Sequence, residues 1–230
     1  TDSIDAYWSQ VEKEKRENRP VIRFDFSGVK KPASPDVFDA PFHFPPVPQY
    51  YTSTCWCFSA TSFLESEIRR LGGPEVKLSE MHTVYWETVE KVRGWIAKRG
   101  HQPFAGGAES DGVLIIWEQY GCVPHEAYPG LALADRHNHV EMNGEIRDYL
   151  HMIREKGHWN EETAIAHVRT ILDRHLGVPP ATFDWNGESW TPLRFFREVT
   201  GIVPGDYVGV MSTLSAPFWR RARFDVPDNW

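Results

Sequence analysis

Cysteine is scarce in this chain: Cys55, Cys57 and Cys122 are the only three among 230 residues. An odd count without framework spacing excludes a disulfide-stapled fold and leaves at least one thiol free. No apolar run approaches the roughly 18 residues that a membrane span needs, so no membrane partner is expected. No basic stripe is present either. Twenty-five Lys and Arg are outnumbered by 32 Asp and Glu, for a formal charge of −7, and basic residues alternate with acids, as in Glu65-Ser66-Glu67-Ile68-Arg69-Arg70. That pattern excludes nucleic acid as the main partner and reads as a solvated helix face. Internal repeats and low-complexity tracts are absent. So is a clear set of Cys, His and carboxylates at metal-ligand spacing: His137 and His139, flanking Asn138, are expected at the surface, and no metal or cofactor is called for. A signal peptide is not visible, but the chain begins with Thr1. That start points to processing or trimming and leaves the compartment, cytoplasmic or exported, open.

What is present suffices for one large domain, or a domain with a substantial insert, with a true core. A charged helix is expected around Trp8 to Arg16. Pro32, Pro35, Pro41, Pro45, Pro46 and Pro48 then mark an extended arm, since proline suits neither helix interiors nor sheet ladders. From Cys55 to Leu71 the spacing of Phe58, Phe63, Leu64, Ile68 and Leu71, widened by Trp56 and Ala60, predicts an amphipathic helix. Ser53 or Thr54 is the expected cap, and Gly72-Gly73-Pro74 the stop. Ser79 caps a second helix that runs to Gly100. Val113 to Trp117 is too apolar for the surface and forms a short buried helix ending at Gly121. Helices are expected over 136–156 and 160–176, stopped by Gly177-Val178-Pro179-Pro180. Thr191-Pro192 opens another, to about Thr200. Tyr207 to Met211 is the best strand candidate.

The chemistry centres on Gln49-Tyr50-Tyr51-Thr52-Ser53-Thr54-Cys55-Trp56-Cys57-Phe58-Ser59. A thiolate is stabilised by the unpaired N–H groups and positive dipole end of a helix's first turn, and Cys55 sits there. Gln49, six residues upstream on an extended arm, can bring an amide beside the sulfur. With the Cys55 N–H it would form an oxyanion hole for acyl transfer. A lone cysteine is more often a buried, inert small side chain. The combination of Gln49, the six-residue step, Cys-Trp and an amphipathic helix reverses that weighting.

These residues resemble the papain-like cysteine peptidases, in which Gln, five residues and Cys-Trp-x-Phe-Ser open the central helix. Ser53-Thr54 in place of Gly-Ser before the cysteine is similar to the bleomycin hydrolase/aminopeptidase C branch. Leu78-Ser79-Glu80-Met81 resembles that family's second-helix start. Gly106-Gly107, followed by Tyr120-Gly121-Cys122-Val123-Pro124 and Ala127-Tyr128-Pro129, resembles its substrate loop, whose backbone pairs with peptide. Gly177 to Pro180, Phe183-Asp184-Trp185 and Thr191-Pro192 resemble the branch's helical insert, and Asp225 to Trp230 a mid-chain segment. The resemblance implies an α+β, papain-like fold: an arm with the oxyanion Gln over 1–50, a mostly helical lobe with the nucleophile over 51–130, a helical insert over 131–204, and the start of a sheet-rich second lobe over 205–230. It implies a cysteine peptidase, of the aminopeptidase kind, with Cys55 and Gln49 catalytic and Gly106, Gly107 and Trp56 against the peptide substrate. Homo-oligomers are common in the branch.

An amidase also needs a histidine to hold the thiolate and protonate the leaving amine, and an Asn or Asp to orient it. No stretch matches the family's Gly-His-Ala or Asn-Ser-Trp-Gly; Asn186 to Trp190 has only a superficial likeness. His43 and His125 fall near the presumed site without matching a motif, while His151, His158, His167 and His175 read as helix faces or caps. The catalytic His and Asn are therefore expected beyond Trp230, on a complementary C-terminal segment or a second chain. Residues 206–212 are expected to pair with strands of that partner. An inactive papain-like module that binds peptides or a partner is the alternative, and a helical binding protein with a structural cysteine a third reading.

Overall fold

A computed structural model describes residues 2–18, 25–133, 135–208 and 219. The chain divides into two units, Thr1–Ala40 and Pro41–Trp230. In the first, helix α1 spans Asp2–Glu17 and Pro35–Val37 forms one 3-10 turn capped by Ser34, whose Oγ accepts from the Asp36 N–H.

The second unit is built around α3, Glu80–Ala97. Thirteen of its 18 residues are buried, so it must be covered on nearly all sides. α2 (Cys55–Arg70), α4 (Asp111–Tyr120) and α6 (Glu161–Leu176) pack on α3, while α5 (Val140–Lys156) packs on α6 and α7 (Pro192–Val199) on α4. Trp117, Tyr85, Phe195, Ile68, Leu172 and Ile146 are sealed in one continuous core. The starts of α3, α6 and α7 follow the capping rule: Ser79, Asn160 and Thr191 accept from His82, Thr163 and Arg194 N–H.

Charge is buried where it fixes helix positions. Lys77 Nζ lies 2.9 Å from Glu65 Oε1 and 2.5 Å from Glu80 Oε1, and Glu65 also accepts from Leu78 N–H at 2.8 Å. Burial pushes the Glu65 carboxyl up, opposed by Lys77. Burial also opposes the Lys77 charge, but Glu80 and Glu65 together hold that ammonium above its ordinary range. One lysine thus ties the second half of α2 to the entry of α3.

Several expectations need correction. α2 turns Cys57, Ala60, Thr61, Leu64 and Ile68 inward, whereas Phe63 and Leu71 are exposed. Polar Thr61 takes a core position because the stripe follows the 3.6-residue period, and Phe63 falls off it. Phe63 instead meets Tyr207 edge-on, and Tyr207 Oη donates to Glu67 at 3.2 Å. α5 begins at Val140 rather than 136, and His158 lies in the α5–α6 connection, not on a helix. Among the described residues the one sheet is an antiparallel hairpin, β1 (Phe183–Trp185) with β2 (Glu188–Trp190), which the sequence reading missed. Pro204–Asp206 forms a 3-10 turn, and most of the segment assigned to the start of a sheet lobe, 209–218 and 220–230, lies outside the described residues. Of the Tyr207–Met211 strand candidate, residues 209–211 lie outside the described residues, as do 209–212 of the segment expected to pair with a partner.

Candidate active site

Cys55 is the first residue of α2 and is exposed, whereas Cys57 and Cys122 are buried. Burial pushes both buried thiols well up, Glu80 adding to the effect on Cys57, so neither offers a ready thiolate.

The turn before the cysteine is unusually shaped. Tyr50 and Ser53 both have left-handed backbones, φ 53° and 58°. For non-glycine residues that costs about 1–3 kcal/mol each and needs outside support. The support is visible. Tyr51 bridges in parallel to Asn138, with Tyr51 N–H on His137 O at 3.3 Å and His139 N–H on Tyr51 O at 3.0 Å.

Neither expected cap works as one. The Thr54 side chain makes no capping bond; its hydroxyl is hydrogen-bonded to Thr52 Oγ1 at 2.6 Å, and Thr52 Oγ1 reaches Gln49 O at 2.9 Å. Thr54 O accepts from Cys57 and Phe58 N–H at 2.9 and 3.1 Å. Among the described residues the N–H groups of Cys55 and Trp56 have no hydrogen-bond partner. Two donors at a helix's positive end therefore stay available beside the sulfur. Gln49 is half-buried, with Oε1 buried and without a hydrogen-bond partner.

The glycine loop comes to the same place. Ser53, Thr54, Trp56, Gly106 and Gly107 line one cavity of about 30 Å³, together with Glu87, Lys91 and His139. Gly106 lies so close that a Cβ on it would stand 3.1 Å from Ser53 Cβ. Trp56 is in the core, 7% exposed, so it backs this region rather than standing open to solvent.

The histidines are another matter. His139 is 3% exposed, which corrects its expected surface placement. The Tyr51 pairing draws it under the loop, where burial, then His137 and His175, push its imidazole down to about 4. His43 lies along a groove with Phe58 and Ser59, and His125 Nδ1 stands 4.0 Å from Glu80 Oε2. Among the described residues no hydrogen bond joins Cys55 to any histidine. Nor, among them, do three or more His, Cys, Asp or Glu cluster to hold a metal ion. Sequence reasoning missed Glu87 and Lys91, whose role depends on a loop that packs over α3 from elsewhere in the chain.

Comparison with solved structures finds PepW from Lactobacillus rhamnosis, at a TM-score of 0.55 and 21% identity over 69% of this chain and 44% of that one. Aminopeptidase C of Streptococcus thermophilus is 23% identical over 206 residues, 73% of this chain and 46% of the relative. Bleomycin hydrolase of Oryctolagus cuniculus is 22% identical over 190 residues, 65% of this chain and 69% of the relative. The chain is related to the bleomycin hydrolase/aminopeptidase C branch of the papain-like cysteine peptidases. Its fold is the α+β, papain-like one. No family model matches, and the chain spans under half the length of the aminopeptidase C relatives it matches. Among the described residues no helix is long and apolar enough to cross a membrane.

Proposed function

We propose that this chain is the nucleophile-bearing part of a cysteine peptidase of the aminopeptidase kind. The observation that carries the proposal is the exposed Cys55 at the head of α2, beside unpaired N–H groups and two residues after Ser53, which Gly106 approaches. In this reading the Cys55 thiolate attacks the peptide carbonyl. The developing oxyanion is held by the Cys55 N–H and the Gln49 side-chain amide. Gly106 and Gly107 take the peptide backbone, and Trp56 packs behind them. The resulting thioester is hydrolysed by water. The histidine that protonates the leaving amine, and the Asn that orients it, come from a complementary segment or second chain. The name aminopeptidase C, borne by the relatives, supports exopeptidase action.

The test is the rate at which Cys55 reacts with iodoacetamide at pH 7, against glutathione as an ordinary thiol and with peptide mapping of the product. A thiolate stabilised by the helix start should react about tenfold faster than glutathione. A rate equal to that of glutathione, or prior labelling of Cys57 or Cys122, removes Cys55 as nucleophile.

A further inference from the structure

Beneath the glycine loop lies a buried ion pair that the mechanism does not use. Glu87 and Lys91 are one helical turn apart on α3, 8% and 6% exposed. Lys91 Nζ stands 2.6 Å from Glu87 Oε1 and donates to Ala105 O at 3.1 Å and to Gly107 O. An ammonium carries three protons and no acceptor, so these partners satisfy it. A charge this deep would be costly without them. Burial drives the Glu87 carboxyl up to about 7, against the pull of Lys91.

The consequence is directional. The carbonyls on either side of Gly106 turn inward to the lysine. Gly106 itself is exposed, and among the described residues neither its N–H nor its C=O has a hydrogen-bond partner. Among the same residues, the hydrogen bonds that hold backbone 104–107 are those from Lys91. Ser53 closes the other side at van der Waals range. An exposed residue with unbonded N–H and C=O, between two residues whose carbonyls are bonded to Lys91, has the pattern of a free strand edge.

We propose that Glu87 and Lys91 are positioning residues for peptide binding: Lys91, held by Glu87, fixes Ala105 to Gly107 so that Gly106 pairs with an extended peptide backbone leading to Cys55. This rests on the peptidase reading above and adds what shapes its peptide site. Without the lysine the loop would lose its hydrogen bonds, and the Ala105 and Gly107 carbonyls would lose their donor.

The experiment compares two reagents with one reactive group on the full 230-residue chain, a dipeptidyl chloromethyl ketone with a free amino terminus and chloroacetone. In both, sulfur bonds to the methylene carbon and chloride leaves. The readout is the ratio of their Cys55 labelling rates. A saturable preference of about tenfold for the peptidyl reagent is expected, the scale of a pair of backbone hydrogen bonds. Lys91→Met and Glu87→Gln should bring the ratio towards one, and Lys91→Arg should restore part of it. A wild-type preference that survives Lys91→Met overturns the positioning role and leaves the peptidase reading intact. No preference in the wild type overturns both. Should Lys91→Met fail to fold, hydrogen exchange on the wild type decides the question. The Gly106 amide should be protected after peptidyl labelling and not after chloroacetone labelling. Equal exchange in the two adducts overturns the proposal.

Discussion

At Thr54 the hydroxyl that the sequence pattern assigns to capping α2 is bonded to Thr52 instead, and the unpaired donors are left beside Cys55. A cap contributes about 1 kcal/mol to a helix, and that stabilisation is forgone at the start of α2. His139 shows a second conflict of this kind. It is buried in the cavity that Glu87, Lys91 and Arg147 also line, and it is held neutral down to about pH 4 against an ordinary value of 6.5. Between those values the unfolded chain binds the extra proton. The contribution of His139 is therefore present above pH 6.5 and is lost as pH falls towards 4, a difference on the order of 3 kcal/mol. Glu87 acts in the opposite sense. Its folded value of about 7 exceeds the ordinary 4.5, so it adds stability as pH falls through that interval. The His139→Gln variant separates the two. Urea midpoints measured from pH 6.5 to 4 should fall less steeply for the variant than for the wild type. Parallel curves would mean that His139 is not held neutral by the fold.

Helix seating depends on a few close approaches. At Gly121, φ is +75° and a Cβ would stand 2.1 Å from the Pro192 carbonyl carbon, where Cys122 N–H bonds Pro192 O at 3.3 Å. Backbone cannot move aside as a flexible side chain can. Gly121→Ala should cost about 3 kcal/mol or more and loosen α7 from α4. A melting curve matching the wild type would refute that packing. The helices were largely legible beforehand, because their caps and stops are local: Ser79, Thr191 and Gly121 act within a few residues of themselves. The β1–β2 hairpin was also written in the chain, as Asn186-Gly187 between Trp185 and Glu188. Both turn residues have positive φ, 51° and 80°, the mark of a two-residue hairpin turn. Burial was less legible. Phe63 falls off the buried stripe of α2 and faces solvent, whereas His139 is buried through its pairing with Tyr51, a partner distant in sequence. The same holds at the site. The approach of Gly106 to Ser53 and the Lys91 clamp are tertiary facts that no spacing rule contains.

At the scale of the whole molecule, the chain sets an exposed Cys55 at the start of α2 and Gly106 against Ser53, and among the described residues no histidine is hydrogen-bonded to the sulfur. A thiolate alone can be alkylated, but it cannot release an amine, because the leaving nitrogen must be protonated as the C–N bond breaks. The histidine nearest to the cavity, His139, is a poor substitute. The cavity it faces is lined by Thr54 and Trp56, the neighbours of Cys55, rather than by Cys55 itself, and at neutral pH its ring carries no proton to spare as a cation. The purified 230-residue chain should therefore react with thiol reagents yet show no turnover of aminoacyl or peptidyl amides above the rate of its Cys55→Ala variant. Addition of the complementary segment that carries the His and Asn should raise hydrolysis by about a hundredfold or more, the usual scale of acid–base assistance. That rise should vanish in Cys55→Ala and persist in His139→Gln. Turnover by the chain alone that disappears in His139→Gln would place the general base within these residues and reject the two-part reading. Activity unchanged by Cys55→Ala would instead remove the nucleophile.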